Sequence, residues 1–160
     1  MRIIAIDPGY DRLGIAVLEK GTGKETVSFS SCITTLKTTS HEKRLSHIGK
    51  EVRAAIEEFE PEAMAIETLF LANNQKTAMP VAEARGVCLY EAALAGLTVF
   101  EYTPLQIKVA VTGYGKSDKR QVTEMVKRLV VLTEQKRLDD EYDAIAIGLT
   151  CLASIRLNNK

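Results

Sequence analysis

The stretch RIIAIDPGYDRLGIAVLEK, Arg2 to Lys20, decides the fold. RIIAI has the β-branched content of a buried strand, and LGIAVLEK alternates as its neighbour would. The DPGYDR between them is short and turn-rich enough to close a hairpin. A second turn, Gly21 to Lys24, leads into TVSFSSCIT, so three hairpin-linked strands begin the chain. Asp7 falls just past the end of the first strand, where α/β sheets present side chains to ligands.

Beyond this meander the hydrophobic period changes. Thr39 and Glu42 have capping-box spacing, and Leu45, Ile48, Val52, Ile56 and Phe59 follow at helical spacing until Pro61. AMAIE, Ala63 to Glu67, is a short apolar strand that ends on a second carboxylate. A helix is expected from about Asn74 to Ala95, with Pro80 in its first turns or at a kink and Gly96 ending it. TVFEY, Thr98 to Tyr102, is another strand. TPLQIKVAVTG is a short helix capped by Thr103 with Pro104 at its first position. GYGKSDK reads as a flexible break, and RQVTEMVKRLVVL after it is an amphipathic helix through Val122, Met125, Val126, Leu129 and Val130. Meander strands followed by alternating helices and strands predict an α/β fold: a mixed sheet with helices on its faces, in one domain over residues 1–160.

Composition narrows the function classes. The 160 residues are 46% hydrophobic, enough for a sizeable core, and no run of eighteen apolar residues suggests a membrane span. An aspartate interrupts the apolar start, so no signal peptide is expected and the protein is placed in the cytoplasm. Cys32, Cys88 and Cys151 are odd in number and set among apolar neighbours, which reads as small buried residues with no metal pattern. The 21 basic and 21 acidic side chains cancel, yet Lys108, Lys116, Lys119, Arg120, Lys127 and Arg128 cluster against only Asp118 and Glu124. That segment supplies a local positive field, within which Lys116 and Arg120 are candidate phosphate contacts.

The last helix begins RLDDEYDAIAIGLTCLAS, Arg137 to Ser154, with four acids crowded at the mouth of an apolar segment. Asp140 and Asp143, three apart, share a face of that helix. If it packs beside the first strand, these two meet Asp7 and Glu67. Taken singly, Asp7 is a turn former, Glu67 a solvated residue and the Asp139 to Asp143 run a set of dipole-favoured caps. Together, four mutually repelling carboxylates call for cations. An all-oxygen donor set suits Mg²⁺ or Mn²⁺ rather than zinc, and neither His41 nor His47 is near in sequence. Two such ions about 4 Å apart are the usual device for phosphodiester hydrolysis.

The chain resembles the RuvC-type Holliday junction resolvases of bacteria over nearly its whole length. The motifs are IDPGYDRLGIAV, AIETLFLANN followed by EARG, EYTPLQIKVAVTGYGKSDKRQV, and DDEYDAIAIGLT. The last two together are specific, whereas DPG alone also occurs in unrelated nucleases and actin-like kinases. The resemblance implies a ribonuclease H-like fold, a homodimer, and paired symmetric nicks across a four-way DNA junction in recombination and repair. It places two Mg²⁺ ions per active site, with Mn²⁺ able to substitute, on Asp7, Glu67, Asp140 and Asp143. It makes Lys108 and Lys119 the cations near the scissile phosphate and DNA backbone, Lys119 with a catalytic role, and Phe70 an aromatic contact to bases near the crossover. Asp139 and Glu141 become capping or supporting neighbours. A branch-migration motor as partner follows from the same source.

Three rivals share some of these features. An RNA-processing nuclease on the same fold would keep the carboxylates, but Tyr102 to Val122 argues for the junction enzyme. An actin-like ATPase needs two domains around its nucleotide, and a binding-only protein leaves the four acids unexplained. The dimer surface has one candidate, the helix from Asn74 to Ala95, where Ala78, Ala82 and Gly86 permit close approach. The role of Tyr114 is open.

Overall fold

In the computed structural model, which describes residues 1–69, 75–133 and 135–158, β1 (Arg2–Asp7) and β2 (Arg12–Glu19) form the anticipated hairpin, with Asp7 opposite Gly14. β3 (Glu25–Thr34) continues the meander antiparallel to β2. On the other side of β1, β4 (Ala63–Glu67) pairs parallel with Ile6 opposite Ile66, and β5 (Thr98–Tyr102) pairs parallel beyond it. A two-residue strand, β6 (Val130–Val131), closes the far edge against the start of β3. The order is β5-β4-β1-β2-β3-β6. The chain ends of β1 and β4 therefore lie side by side at one end of the sheet.

Because side chains alternate across a strand, β1 serves two cores. Ile4 and Ile6, with Ile15, Val17, Met64 and Ile66, join the core built with α1 (His41–Phe59) and α2 (Gln75–Leu94). The opposite face is smaller in grain. Ala5, Ala16, Ala63 and Ala65 lie against α5 (Asp139–Asn158), which brings its own Ala144 and Ala146 and is flanked by α3 (Pro104–Thr112) and α4 (Lys119–Leu129). Each buried isoleucine stabilises the first core by about 1.5–3 kcal/mol, while the alanine-rich second face lets a helix settle close onto the strands. α5 consequently lies over β1 and β2.

Several expectations need correction. α1 is capped at Ser40, not Thr39, and no side chain performs the capping: the Thr39 amide is committed to the Leu36 carbonyl in a preceding turn, and the Ser40 hydroxyl donates to Glu42. Val130 leaves the last amphipathic helix and pairs as strand with Glu25. GYGKSDK is pinned rather than flexible. The Ser117 hydroxyl is buried, 2.7 Å from that of Thr112, and donates to the Tyr114 carbonyl at 2.8 Å. The Thr103 cap and Pro104 start of α3 appear as expected, as a full capping box with Gln106. Among the described residues no helix is long and apolar enough to cross a membrane.

Candidate active site

Asp7 and Glu67 end neighbouring parallel strands, and the register sets their side chains next to one another at the sheet's end. What brings the helix carboxylates to them is Gly14, opposite Asp7 on β2. A Cβ at that position would stand 2.0 Å from the Asp140 carbonyl oxygen and 3.3 Å from the Asp7 Cβ. The missing side chain is the space through which the first turn of α5 reaches the strands.

That first turn is itself held by a supporting acid. Buried Glu141 accepts from the Leu138 amide at 2.9 Å and from the Ser30 hydroxyl at 2.6 Å, so it caps the helix and ties it to β3. Asp139 points to solvent near Lys119, 3.8 Å away. Of the two, Glu141 performs the helix capping expected of such neighbours.

Asp7, Glu67 and Asp143 line a pocket of about 220 Å³ with Lys108 and Lys119, floored by Ile107, Val122 and Ala146. Burial, then the charges of Glu67, Asp143 and Asp140, push the Asp7 carboxyl well above its ordinary range, and it shares a hydrogen bond with Glu67. Burial raises Glu67 too, against the pull of that bond and of Lys108. Burial also raises Asp143, offset by Lys119, whose Nζ lies 2.9 Å from its Oδ2. On Lys119 burial acts downward, but Asp143 outweighs it and the ammonium is held above its usual range.

Asp140 sits on the other flank, ion-paired with Arg12 and 3.8 Å from the Cys32 thiol. Each helix carboxylate is thus turned to its own cation. Among the described residues no three acidic, histidine or cysteine side chains close on one point in this arrangement. The donor set nevertheless fits a hard divalent cation: four carboxylates, two of them sharing a proton and two borrowing a side-chain cation, all oxygen. His41 bonds Tyr10 and Glu83, and His47 lies by Glu51, so neither joins the set.

Of the residues expected at the site, Lys108 and Lys119 form its walls, whereas Lys116 and Arg120 are exposed and do not line the pocket. Phe70 lies outside the described residues. Sequence reasoning missed Arg12 and Gly14. A lone glycine inside an apolar strand was a usable signal for close backbone approach; Arg12, an exposed residue at a strand start, carried none. Cys32, expected to be buried, is only partly so and lies beside Asp140.

A family model described as "Crossover junction endodeoxyribonuclease RuvC" matches residues 3–151. The chain belongs to the RuvC family. A RuvC of Thermosipho melanesiensis, named as a crossover junction endodeoxyribonuclease, is 48% identical over 153 residues, covering 96% of this chain and 97% of that protein. The structure of Thermus thermophilus RuvC in complex with Holliday junction substrate superposes with a TM-score of 0.91 at 33% identity, over 99% of this chain and 96% of that one. The yeast mitochondrial Holliday junction resolvase shares the fold alone, at 12% identity and a TM-score of 0.66 over 92% of this chain and 77% of that one. The RuvC structures bear out the mixed-sheet, ribonuclease H-like α/β fold expected from the hairpin and the alternating elements.

Proposed function

We propose that this RuvC-family protein is a divalent-metal-dependent endonuclease that resolves four-way DNA junctions by paired symmetric nicks. The observation that carries the reading is the convergence of Asp7, Glu67 and Asp143 with Lys108 and Lys119 around one pocket, with Asp140 on its rim. These four acids would hold Mg²⁺, or Mn²⁺ in its place, whose chemistry is to acidify an attacking water and stabilise the leaving 3′ oxygen.

The chain's own groups do the rest. Lys108 and Lys119 offer ammonium groups from opposite helices, α3 and α4, to the non-bridging oxygens of one phosphate, which orients that phosphate over Asp7. Once Asp143 is otherwise neutralised, Lys119 is free to meet charge that develops on the phosphate during attack. The apolar floor excludes bulk water from the rest of the pocket and strengthens these interactions. The products expected are 5′ phosphates and ligatable nicks.

Paired cutting needs two copies. The outer face of α2 presents exposed Met79, Ala82, Gly86, Tyr90 and Leu94, an apolar strip with small residues at its middle, and it is the proposed homodimer surface. A branch-migration motor is the further partner proposed from the family. The test supplies a labelled synthetic four-way junction and a matched linear duplex, each with Mg²⁺ and with chelator. Paired, metal-dependent nicks confined to the junction support the reading. Equal cutting of both substrates would instead favour a general or RNA-processing nuclease on the same fold.

A further inference from the structure

A second cleft, of about 580 Å³, opens between the β1–β2 turn, the segment after β3 and the first turns of α2; Tyr10, Asp11, Arg12, Lys37, Arg44 and Pro80 line it. It shares none of its lining with the active-site pocket. Arg12 joins the two, because its guanidinium is paired with Asp140 at the rim of the metal-binding acids.

This cleft is a built structure. Arg44 is buried, donates to the Thr35 hydroxyl at 2.9 and 2.7 Å, pairs with Asp11 and lies 3.7 Å over the Tyr10 ring. The Tyr10 hydroxyl is 2.6 Å from His41 Nδ1, and His41 Nε2 is 2.8 Å from Glu83. The turn after β1 is thereby locked to the start of α1. Asp11 is spanned by Arg44 and by Lys37, whose Nζ is 3.4 Å from Oδ2. Two cations therefore face this one carboxylate, and Arg12 beside it faces Asp140 instead. Arg44 spends its charge internally, while Lys37, 81% exposed, and Arg12, 48% exposed, present theirs outward.

The chemistry selects a polyanion and the kind of contact. A guanidinium fork matches phosphate oxygens, and a lysine ammonium is a mobile point charge for the same partner. Base stacking is unavailable here, since Arg44 covers the Tyr10 face. Building on the junction-nuclease reading above, we infer that this cleft is a second phosphate-backbone subsite, in which Arg12 and Lys37 hold the DNA strand flanking the scissile phosphate. The carboxylates then lie between two cationic walls, Lys108 and Lys119 on one side and Arg12 and Lys37 on the other. With Asp140 engaged in holding a divalent cation, the Arg12 guanidinium would be free to turn from it to the strand.

The test is fluorescence anisotropy of a labelled four-way junction and a matched duplex with full-length protein. Ca²⁺ replaces Mg²⁺ so that binding is read without turnover, over roughly 50 to 200 mM salt. Lys37→Gln, which touches none of the metal-binding acids, is expected to lower the slope of log affinity against log salt by about 0.9. The Arg12→Gln, Lys37→Gln double variant should lower it by about twice that. Lys24→Gln, an equal charge loss at the opposite end of the sheet, is expected to leave slope and affinity unchanged. Wild-type slope and affinity in both Lys37 variants would overturn the subsite. Wild-type protein that binds junction and duplex equally would overturn the junction reading instead, with the slope difference still deciding the cleft on either DNA. Protein that binds neither DNA would overturn both.

Discussion

The two sheet carboxylates and the two helix carboxylates carry the same charge and are neutralised in different ways. Asp7 and Glu67 lie at adjacent strand ends, bury together and share a proton. Asp140 and Asp143 ride on the first turns of a helix, partly buried, and each takes a cation, Arg12 or Lys119. The sheet pair is fixed by β-register and cannot separate, so protonation is its only relief. The helix pair has room to turn away. A divalent cation would satisfy both pairs at once, which would account for two such unlike solutions in one site.

Breaking the sheet pair should have the largest effect. Asp7→Asn keeps the shape and removes a charge that the proposed cations need. A loss of several kcal/mol of transition-state stabilisation corresponds to roughly 10³-fold or more in cleavage rate, with junction binding largely retained in a gel-shift assay. Comparable cutting by this variant would remove Asp7 from the metal set. Breaking the helix pair's cation should cost less: Lys119→Met is expected to slow single-turnover cleavage by about 10²–10³-fold, as for loss of one electrostatic donor to a reacting oxygen. Wild-type rates would assign Lys119 only to holding Asp143.

The seam between the pairs is Gly14. In Gly14→Ala the new methyl meets backbone, the Asp140 carbonyl, rather than a movable side-chain tip. Overpacking of this kind costs about 1–3 kcal/mol, and each kcal/mol lowers Tm by roughly 2–4 °C in a chain of this size. Cleavage should fall along with Tm as the first turn of α5 is pushed outward. An unchanged Tm would show that the helix has freedom to shift there.

The smallest effect sharpens the comparison through pH. Asp7, Glu67 and Asp143 all sit above their ordinary range when folded without metal. The folded state then holds protons that the unfolded chain has already released. That stability is full below the unfolded values, near pH 4, and is lost as pH rises through the raised folded values. Metal-free protein is therefore expected to lose Tm on going from mildly acidic to neutral pH. Asp7→Asn should flatten that loss, and saturating Mg²⁺ should offset it by binding only the folded state. A Tm that rises with pH in the presence of chelator would contradict the shared proton.

The fold was legible where period and turn chemistry agree. The β1–β2 hairpin, the β4 strand ending on Glu67 and the Thr103-capped α3 all stand where the residues place them. Thr39 misled because capping-box spacing does not reveal that an amide is already used by a turn. GYGKSDK misled because glycine content hides the buried Ser117 hydroxyl that fixes the loop. β6 escaped notice because two valines at a helix end are strand only through their partner, Glu25. The carboxylates were legible as types and spacings. Their counter-ions were not fully so: Lys119 stood out in a basic segment, while the partnership of Arg12 with Asp140 spans the whole chain and exists only in the packed fold.

The most direct test of the central claim, that these four acids form one cation site, is anomalous diffraction from crystals of the protein equilibrated with Mn²⁺. The account predicts Mn²⁺ among Asp7, Glu67, Asp140 and Asp143, with the Asp140–Arg12 and Asp143–Lys119 pairs opened. Mn²⁺ bound elsewhere, with both ion pairs intact and the Asp7–Glu67 hydrogen bond unchanged, would contradict it.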